Sequence, residues 1–284
     1  MNLAEIVPGE VVSCEELTEG SYNTAYRIAT TDARYVLKVA PDPTAVAMTY
    51  EQDIMRTEAM FYAEAVTVPA PRLVRADFSR TVLDSDYLLM TEVPGRPWFG
   101  QAVDPSLRGS LGGIVASLHR ITGSAFGYPQ FGLRATWREA FAAMVQAVVD
   151  DAQRFGVDVP DVMSMIDFAR FDDVETPVLV HFDLWDGNIL VSDGQVHGMI
   201  DGERAFWGDP LAEMVSLALF RDIRRDPVFL DGYRAAGGSV EIDAYRLAAY
   251  QVYLYLIMLV ETVPRGQPAP PPTAKHLALA LESL

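Results

Sequence analysis

The first ninety residues alternate between apolar and polar positions in short runs, which is the pattern of β-strands. Runs rich in β-branched and aromatic residues, each bounded by turn-forming residues, predict strands over 11–17, 25–29, 35–40, 72–76 and 87–92. Before the fourth run, the segment 45–65 places Ile54 and Phe61 near helical spacing and predicts one helix. Pro69 follows and prevents its continuation. The pattern therefore predicts a small β-rich lobe with a helix.

Beyond Gly95 the spacing of apolar residues changes from two to three or four, which is typical of helices. The clearest periodic segments predict helices over 111–118, 137–155, 160–171, 211–221 and 245–260. Three short apolar runs predict strands over 178–180, 189–191 and 196–200. The dipeptide Asp193-Gly194 between the last two runs is a strong signal for a hairpin.

Two proline-containing segments divide the chain. The first, 93–97, separates the predicted strands from the predicted helices. The second, 264–272, predicts an extended connector before a last short helix. Together these features predict an α+β protein with a small β-rich lobe in residues 1–93 and a larger, mainly helical lobe in residues 94–284.

The charge balance is strongly acidic, with 39 Asp and Glu residues against 22 Lys and Arg residues and a formal net charge of −17. Such a charge repels nucleic acid and anionic lipid, so neither is an expected partner. The excess is concentrated in the stretch 139–175, which carries nine acidic residues and two arginines. A solvated helical face explains this stretch most simply, and a site for a cationic ligand is the alternative.

The sequence predicts a cytoplasmic protein that contacts no membrane. The first residues lack the basic and apolar regions of a signal peptide. The longest apolar run, 247–260, has 14 residues, which is too short to span a bilayer, and it is predicted to be a buried helix. Cys14 is the single cysteine, so no internal disulfide is expected. The sequence does not indicate an oligomeric state.

The candidate chemistry lies on the loop 181–188, which follows one predicted buried strand and precedes another. Asn188 ends this loop, and Asp201 stands thirteen residues later at the end of the next strand. Because the two strands form a hairpin, we expect both side chains at one rim. Carboxylate and amide oxygens are hard ligands of the kind that hold Mg²⁺ together with substrate phosphates. Asp183, five residues before Asn188, is predicted to lie beside the metal ion and not on it.

An Asp, an Asn and a second Asp at this spacing are the arrangement that phosphoryl transfer uses in kinases. The run H-x-D-x-x-x-x-N at 181–188, followed by I-D-x-E at 200–203, resembles the aminoglycoside phosphotransferase superfamily, which also contains choline and fructosamine kinases. The resemblance covers nearly the whole chain and implies a protein-kinase-like two-lobed fold. It also implies that Asp183 accepts the proton of the attacking hydroxyl group and that Asn188 and Asp201 hold Mg²⁺. ATP or GTP is then the expected phosphoryl donor.

The same resemblance gives roles to two charged residues of the first lobe. Lys38 is similar to the lysine that binds the α- and β-phosphates, and Glu58 is similar to its ion-pair partner. Glu58 is preferred because its distance to the Pro-Ala-Pro stop at 69–71 resembles that of the family. Glu51, two helical turns earlier on a similar face, is the alternative partner.

The remaining contacts of the nucleotide are implied in the same way. The loop 20–24, with Gly20 and the hydroxyl donor Ser21, corresponds to the loop that covers the phosphates. Backbone groups near Met90 and Val93 correspond to those that bind the adenine. The loop has one glycine where protein kinases carry several, so the loop alone does not indicate a nucleotide site.

Two residues beside the chemical groups depart from the family pattern. Phe182 stands where the family most often has glycine, and Gly202 replaces the usual bulky residue after the second metal-binding Asp. Neither change removes a side chain that takes part in the chemistry. Trp185, in the same loop, is predicted either to anchor the loop or to form a wall of the acceptor site. The resemblance implies that His181 orients this loop and does not itself move protons. Asp209 is predicted to brace the segment 208–210 by binding backbone amides and not to touch the substrate.

The acceptor is predicted to be a small molecule with a hydroxyl group. A protein kinase needs a long activation segment, and only eight residues, 202–209, are available after the second metal-binding Asp. In the family the stretch 139–175 faces the substrate, so its acidity favours a cationic acceptor such as an aminoglycoside or an amino alcohol. A nucleotide-binding protein without turnover is one alternative function. The other, a metallohydrolase with His181 and Asp183 as ligands, is disfavoured because the four histidines are scattered.

Overall fold

The computed structural model describes residues 2–17, 22–102, 104–239 and 241–284. Within these ranges, the first lobe is an antiparallel sheet with a helix beside it. Its elements are the strands β1 (Val11–Leu17), β2 (Thr24–Thr30), β3 (Arg34–Val39), β4 (Leu73–Asp77) and β5 (Tyr87–Thr91) and the helix α1 (Ile54–Glu64). The order across the sheet is β1-β2-β3-β5-β4, so Lys38 of β3 lies between Ala25 and Leu88. The division of the chain at residue 93 stays a prediction.

The predicted helix over 45–65 is wrong in its first half. Thr49–Glu51 forms a single 3-10 turn, and Asp53 has a positive φ of 54°, which breaks the chain direction before α1 begins. The Glu51 carboxylate binds the guanidinium group of Arg265 at 2.7 Å, across 214 positions of sequence. The spacing of apolar residues within 45–65 carries no information about a contact with residue 265. That spacing therefore could not show that the helix begins only at Ile54.

The second lobe is mainly helical. Its helices are α2 (Leu107–Leu118), α3 (Trp137–Phe155), α4 (Val162–Met165), α5 (Glu213–Leu217), α6 (Pro227–Ala235), α7 (Ala244–Val260), α8 (Thr262–Arg265) and α9 (Thr273–Leu281). Its strands are β6 (Arg96–Pro97), β7 (Val178–Val180), β8 (Ile189–Ser192), β9 (Gln195–Met199) and β10 (Phe206–Gly208). The core is aromatic: the ring centroid of Phe141 in α3 lies 5.0 Å from that of Tyr250 in α7 and 4.9 Å from that of Phe171.

Two predicted helices of this lobe are much shorter than their apolar patterns. The segment 160–171 contains α4 and a separate 3-10 turn, Phe168–Phe171. Ile166 is extended between them, and the Asp167 side chain caps the second turn, so the segment cannot continue as one helix. Helix α5 has five residues, where a helix over 211–221 was predicted.

Helix α6 is not predicted by the apolar pattern. Its middle contains Gly232, which is unfavourable inside a helix and weakens any argument from periodicity. A Cβ atom at this position would lie 2.0 Å from the carbonyl oxygen of Gly109 in α2. These glycines allow α2 and α6 to pack at close range. Helix α6 therefore depends on a tertiary contact, which the local sequence does not show.

Helices α7 and α8 form a continuous stretch of 22 residues, Ala244–Arg265. Among the described residues it is the one helix that could cross a membrane by length and composition, so the prediction that this segment is too short to span a bilayer is wrong. Two-thirds of its most apolar window is buried inside the protein, which is the arrangement of a core helix. The predicted connector 264–272 becomes extended only after α8 ends.

The predicted hairpin of β8 and β9 is confirmed. Asp193 and Gly194 have φ angles of 50° and 69°, the left-handed values of a tight hairpin turn. The Ile200 N–H group donates to the carbonyl oxygen of Asn188 at 3.0 Å. This bond places Asn188 opposite the residue that precedes Asp201, so the hairpin brings the two predicted metal ligands to one end of its ladder.

Candidate active site

A cavity of about 1110 Å³ lies between the two lobes. The predicted site residues in its wall are Lys38, Met90, Val93, Asp183, Asn188 and Asp201. Glu58 binds Lys38 from the protein interior and has no exposed surface. Gly20 and Ser21 lie outside the described residues, and the next residue of that loop, Tyr22, lines the cavity.

Lys38 is held by two carboxylates from different parts of the chain. Its Nζ atom donates to both carboxylate oxygens of Glu58, at 2.8 and 2.9 Å, and to Oδ1 of Asp201 at 2.8 Å. The partner in the first lobe is Glu58 and not Glu51, which binds Arg265 instead. Burial would lower the pKa of Lys38, but Asp201 and Glu58 raise it well above its usual value, so the ammonium group is charged.

Tyr62 joins α1 to the backbone of Asp201. Its hydroxyl donates to Oε1 of Glu58 and accepts the N–H of Asp201, both at 3.1 Å. Asp201 itself has a φ of 61°, a left-handed conformation that non-glycine residues rarely adopt. Two residues later, Glu203 accepts a hydrogen bond from the Asn23 amide at 2.8 Å, and burial raises the pKa of Glu203. These bonds fix the segment after β9 against both lobes.

Asn188 is oriented by Asp183. Its Nδ2 group donates to the backbone oxygen of Asp183 at 2.9 Å and to its Oδ2 atom at 3.0 Å. Because both partners are acceptors, the amide nitrogen of Asn188 must face Asp183. The Oδ1 atom of Asn188 is therefore left for another ligand, in the same cavity wall as Asp201.

The oxygens of Asn188 and Asp201 fit the ligands that Mg²⁺ prefers. Burial would raise the pKa of Asp201, but Lys38 lowers it overall, so its carboxylate is ionised. Mg²⁺ is usually held by one or two protein groups together with water and substrate phosphates. Among the described residues, no three His, Cys, Asp or Glu side chains are grouped to hold a metal by themselves. The pair therefore fits an ion shared with phosphates better than the all-protein site that a metallohydrolase uses.

Asp183 has the properties of a proton acceptor. Burial raises its pKa, and the guanidinium group of Arg204, 3.9 Å from Oδ1, offsets part of that rise. A carboxylate with a raised pKa binds a proton more readily, which suits a general base. The bond from Asn188 to Oδ2 fixes the orientation of the group.

Two residues that the sequence pattern did not single out hold the loop 181–184 by its backbone. Glu213 of α5 accepts the first two N–H groups of this loop, at 2.7 and 3.0 Å, and Ser216 accepts the N–H of Leu184 at 3.0 Å. Burial would raise the pKa of Glu213, but His119 beside it lowers it overall, so the carboxylate is ionised. A single acid in the mostly apolar run 211–219 is the sequence signal that could have revealed this role.

Both departures from the family pattern have a local physical reason. Phe182 has a φ of 63°, in the region that favours glycine, and its fully buried ring packs on Phe206 at 5.1 Å between centroids. This burial offsets the strain of a bulky residue in that conformation. A Cβ atom on Gly202 would lie 2.2 Å from the ring of Phe61 in α1. Phe61 occupies that space and packs edge-on against His181 at 4.9 Å.

The backbone near Met90 offers fewer free groups than predicted. Met90 lies in β5 between β3 and β4, so its backbone faces neighbouring strands while the residue lines the cavity. The N–H groups of Thr91 and Glu92 donate to carbonyl oxygens of the same lobe at 2.9 and 3.0 Å. Among the described residues, the N–H of Val93 has no hydrogen-bond partner. Val93 is therefore a free backbone donor at this end of the cavity.

The supporting roles predicted for His181 and Asp209 agree with their contacts. His181 lies 2.9 Å, through Nε2, from the carbonyl oxygen of Ile200, and burial lowers its pKa, so the ring is neutral. Asp209 accepts hydrogen bonds from the N–H of Leu211 at 2.9 Å and from the hydroxyl of Tyr250 at 2.7 Å. His181 therefore fixes the backbone next to Asp201, and Asp209 fixes the turn that precedes α5.

Other walls of the cavity surround the predicted chemical groups. Trp185 lines the cavity and packs on Phe99 at 5.6 Å between ring centroids, so it forms a wall as well as anchoring the loop. The segment 267–270, between α8 and α9, forms another wall. None of the described residues of the acidic stretch 139–175 lines the cavity. The stretch therefore gives no support to a cationic acceptor, which stays a prediction.

Proteins of similar sequence include two kinases. The homoserine kinase of Methylobacillus flagellatus is 26% identical over 205 residues; the match covers 68% of this chain and spans 58% of the length of that protein. A probable ketoamine kinase of Enterococcus faecium is 26% identical over 259 residues, which cover 84% of this chain and 86% of that protein.

Solved structures show the same fold. A thermostable mutant of aminoglycoside phosphotransferase APH(4)-Ia, in complex with AMP-PNP and hygromycin B, has a TM-score of 0.66 at 20% identity and covers 99% of this chain and 94% of its own. The macrolide 2'-phosphotransferase MphH of Brachybacterium faecium has a TM-score of 0.63 at 18% identity, covering 99% and 95%. The predicted protein-kinase-like fold is thereby confirmed. Residues 13–250 also match the model of the phosphotransferase enzyme family, and the chain belongs to that family.

Proposed function

We propose that the chain transfers the γ-phosphoryl group of ATP to a hydroxyl group of a small molecule. The observation that carries the proposal is that Asp183 and the two predicted metal ligands share one cavity with Lys38. The relatives named above are kinases of homoserine and of ketoamines, and one structural relative was solved with AMP-PNP and hygromycin B. GTP is the alternative donor.

Asp183 is the proposed general base. Its carboxylate accepts the proton of the acceptor hydroxyl as the oxygen attacks the γ-phosphorus. Two observations support this role: burial raises the pKa of Asp183, and Asn188 fixes one of its oxygens. The other oxygen faces Arg204 at 3.9 Å, too far for a hydrogen bond, and is available to an incoming hydroxyl group.

The donor side is assigned to the ion-pair cluster around Lys38. Asn188 and Asp201 are the proposed ligands of Mg²⁺, which when bound neutralises charge on the phosphates. Lys38 is the proposed ligand of the α- and β-phosphates, and Glu58 keeps its ammonium group in place. In the structure the Lys38 ammonium group also donates to Asp201, so a bound nucleotide and Asp201 would compete for this ammonium group.

The remaining nucleotide contacts are assigned to the first lobe. The free N–H group of Val93 is the proposed donor to the adenine, and Met90 contributes a buried apolar wall. Gly20 and Ser21 remain the proposed cover of the phosphates. A cationic acceptor, such as an aminoglycoside or an amino alcohol, stays a prediction that the stretch 139–175 does not support, because none of its described residues lines the cavity.

Turnover separates this function from its nearest alternative, a nucleotide-binding protein without activity. Consumption of ATP with Mg²⁺ is measured in the presence of homoserine, a ketoamine, an aminoglycoside, a macrolide and an amino alcohol. Binding of Mg·ATP is measured in parallel by thermal shift. We expect an acceptor-dependent consumption of ATP that Asp183→Asn abolishes while nucleotide binding is kept. A thermal shift without consumption for any acceptor favours the alternative.

A further inference from the structure

Two arginines form the wall of the cavity next to Asp183. Arg204 and Arg265 both line the cavity, and Nη1 of Arg204 is 3.9 Å from Oδ1 of Asp183. The two guanidinium groups share one carboxylate: Oε2 of Glu261 lies 2.8 Å from Nη2 of Arg204 and 3.2 Å from Nη2 of Arg265. Glu51 binds Arg265 from the other side at 2.7 Å. Both cations are therefore held in fixed orientations before any substrate arrives.

The guanidinium groups have more donors than their surroundings accept. Each carries five N–H groups. In the described part of the chain, Nε of Arg204 and Nε of Arg265 are buried without a partner, and Nη1 of each forms no hydrogen bond. Arg204 as a whole is only 6% exposed. Buried donors without acceptors are rare in folded proteins because they are costly, so the arginine pair lacks acceptor oxygens.

The acids beside the two arginines are already bound, apart from Asp183, which is the proposed general base. Glu51 and Glu261 are bound by the arginines, and Asp186 at the edge of the cavity lies 3.2 Å from Arg221. A cationic group of a substrate would have to displace one of these pairs. An anionic group would instead meet free guanidinium donors, whose planar fork matches a carboxylate.

We propose that Arg265, together with Arg204, binds a carboxylate group of the acceptor, so that the substrate is a hydroxyl-bearing carboxylic acid such as a hydroxy amino acid. The inference rests on the proposed kinase function, because it places the hydroxyl end of the same molecule at Asp183. One guanidinium group and one carboxylate separate Arg265 from Asp183, and the acceptor spans that interval.

The first experiment uses the unaltered protein and matched acceptors. Binding of homoserine and of homoserine amide is measured by calorimetry in the presence of Mg²⁺ and AMP-PNP, and a glycine-derived ketoamine and its amide form a second pair. Each pair differs only in the charge of one group. We expect the acid to bind about tenfold to a hundredfold more tightly than its amide in at least one pair. Equal affinity within each pair, or binding of neither member, overturns the inference.

The second experiment tests the residue. Arg265→Gln should abolish the preference for the acid, Arg265→Lys should keep part of it, and neither should alter the KM for Mg·ATP. Arg138→Gln is the matched control, since Arg138 is also paired with an acid, Asp172, but on the surface at 3.1 Å. A change in the KM for Mg·ATP with the acid preference intact would assign Arg265 to the nucleotide phosphates and overturn the inference.

The two proposals fail in different ways. An acid preference in binding, without ATP consumption for any acceptor, leaves the carboxylate site standing and contradicts the kinase function. Consumption of ATP with acceptors that lack a carboxylate, at rates equal to those of the matched acids, leaves the kinase function standing and overturns the carboxylate site. If Arg265→Gln does not fold, the comparison of acid and amide in the unaltered protein still decides.

Discussion

The two sides of the cleft are held by different kinds of bond. On the donor side, Lys38 meets three acids through side chains alone: Glu58 and Asp201 at 2.8 Å and Glu203 at 3.7 Å. On the acceptor side, the loop 181–184 is held by its backbone N–H groups, which Glu213 and a neighbouring serine accept. The pair of Lys38 with Asp201 can exchange partners when phosphates and a metal ion arrive, because both residues are proposed ligands of the incoming groups, whereas a loop held by its backbone cannot. The donor side therefore depends on its ligand, and the acceptor side is set by the fold.

The largest effect is expected from Asp183, the proposed general base on the acceptor side of the cleft. Asp183→Asn keeps the shape of the side chain but removes the proton acceptor, so kcat should fall by about 10²–10⁴-fold. Binding of Mg·ATP should be unchanged, as measured by calorimetry. Asp186→Asn, the same change three residues later in the loop, is the control. Undiminished turnover of Asp183→Asn would reject the assignment.

A change on the donor side of the cleft should act mainly on the binding of Mg·ATP. Lys38→Ala removes the cation that two carboxylates hold, and the KM for Mg·ATP should rise by about tenfold to a hundredfold. Initial rates over a range of nucleotide concentrations measure this. Lys275, the only other lysine in the sequence and exposed on α9, provides a control as Lys275→Ala. Unchanged affinity and turnover in Lys38→Ala would count against the role of Lys38.

Glu213 and the N–H groups of His181 and Phe182 that it accepts form a backbone clamp, which a conservative change at Glu213 tests. Glu213→Gln removes a charged acceptor from two buried N–H groups, so the free energy of unfolding should fall by about 1.5–3 kcal/mol. Turnover should also fall while the KM for Mg·ATP stays unchanged, because the donor side does not depend on this carboxylate. Urea denaturation and steady-state kinetics measure the two effects. A rise in the KM for Mg·ATP equal to the loss of turnover would contradict the division between the two sides.

The pH dependence of stability gives the same clamp a second test. The pKa of Glu213 is lowered in the folded protein, so its ionised form stabilises the fold above pH 4.5, the ordinary value for glutamate. This contribution is lost as the pH falls through the lower folded-state pKa. The difference in free energy of unfolding between the unaltered protein and Glu213→Gln should be constant above pH 4.5 and shrink below it. A difference that grows on acidification would show the wrong sign.

The smallest effect is expected where the two sides touch. Gly202→Ala would place a Cβ atom 2.2 Å from the ring of Phe61, and the required shift should cost about 1–2 kcal/mol of stability. Phe61→Leu should relieve part of this cost in the double variant, as a double-mutant cycle of denaturation measures. Gly113→Ala, whose added Cβ would have no neighbour closer than 3.7 Å, is the control. Equal effects of the two alanine variants would show that packing at Gly202 does not matter.

The sequence predicted the groups whose spacing is local. Asp183, Asn188 and Asp201 lie on one loop and one hairpin, and the Asp193-Gly194 turn sets their register over about twenty residues. The residues of one short turn were therefore enough to predict that these side chains lie together. The metal-binding and catalytic roles of these residues remain predictions until the experiments above are done.

The sequence could not reveal the contacts between distant segments. Glu51 belongs to a segment with a helical apolar pattern, but it lies in a separate 3-10 turn and binds Arg265, and no local pattern contains both residues. The sequence pattern did not single out Glu213, although this buried carboxylate supports the loop 181–184. The acidic stretch 139–175 was predicted by resemblance to face the substrate, but none of its residues that the structure describes lines the cavity. In each case tertiary contacts outweighed the local pattern.

The cavity wall at 267–270 has a consequence for how this protein could diversify. This rim follows α8, has no regular structure and contains two prolines, so it is stiff without being tied into a sheet or helix. Surface connections of this kind accept insertions and exchanges more readily than the elements they join. Substitutions or insertions in these four residues, in evolution or by protein engineering, can therefore change which molecules enter the cavity. The residues around Lys38 and Asp183 would stay unchanged.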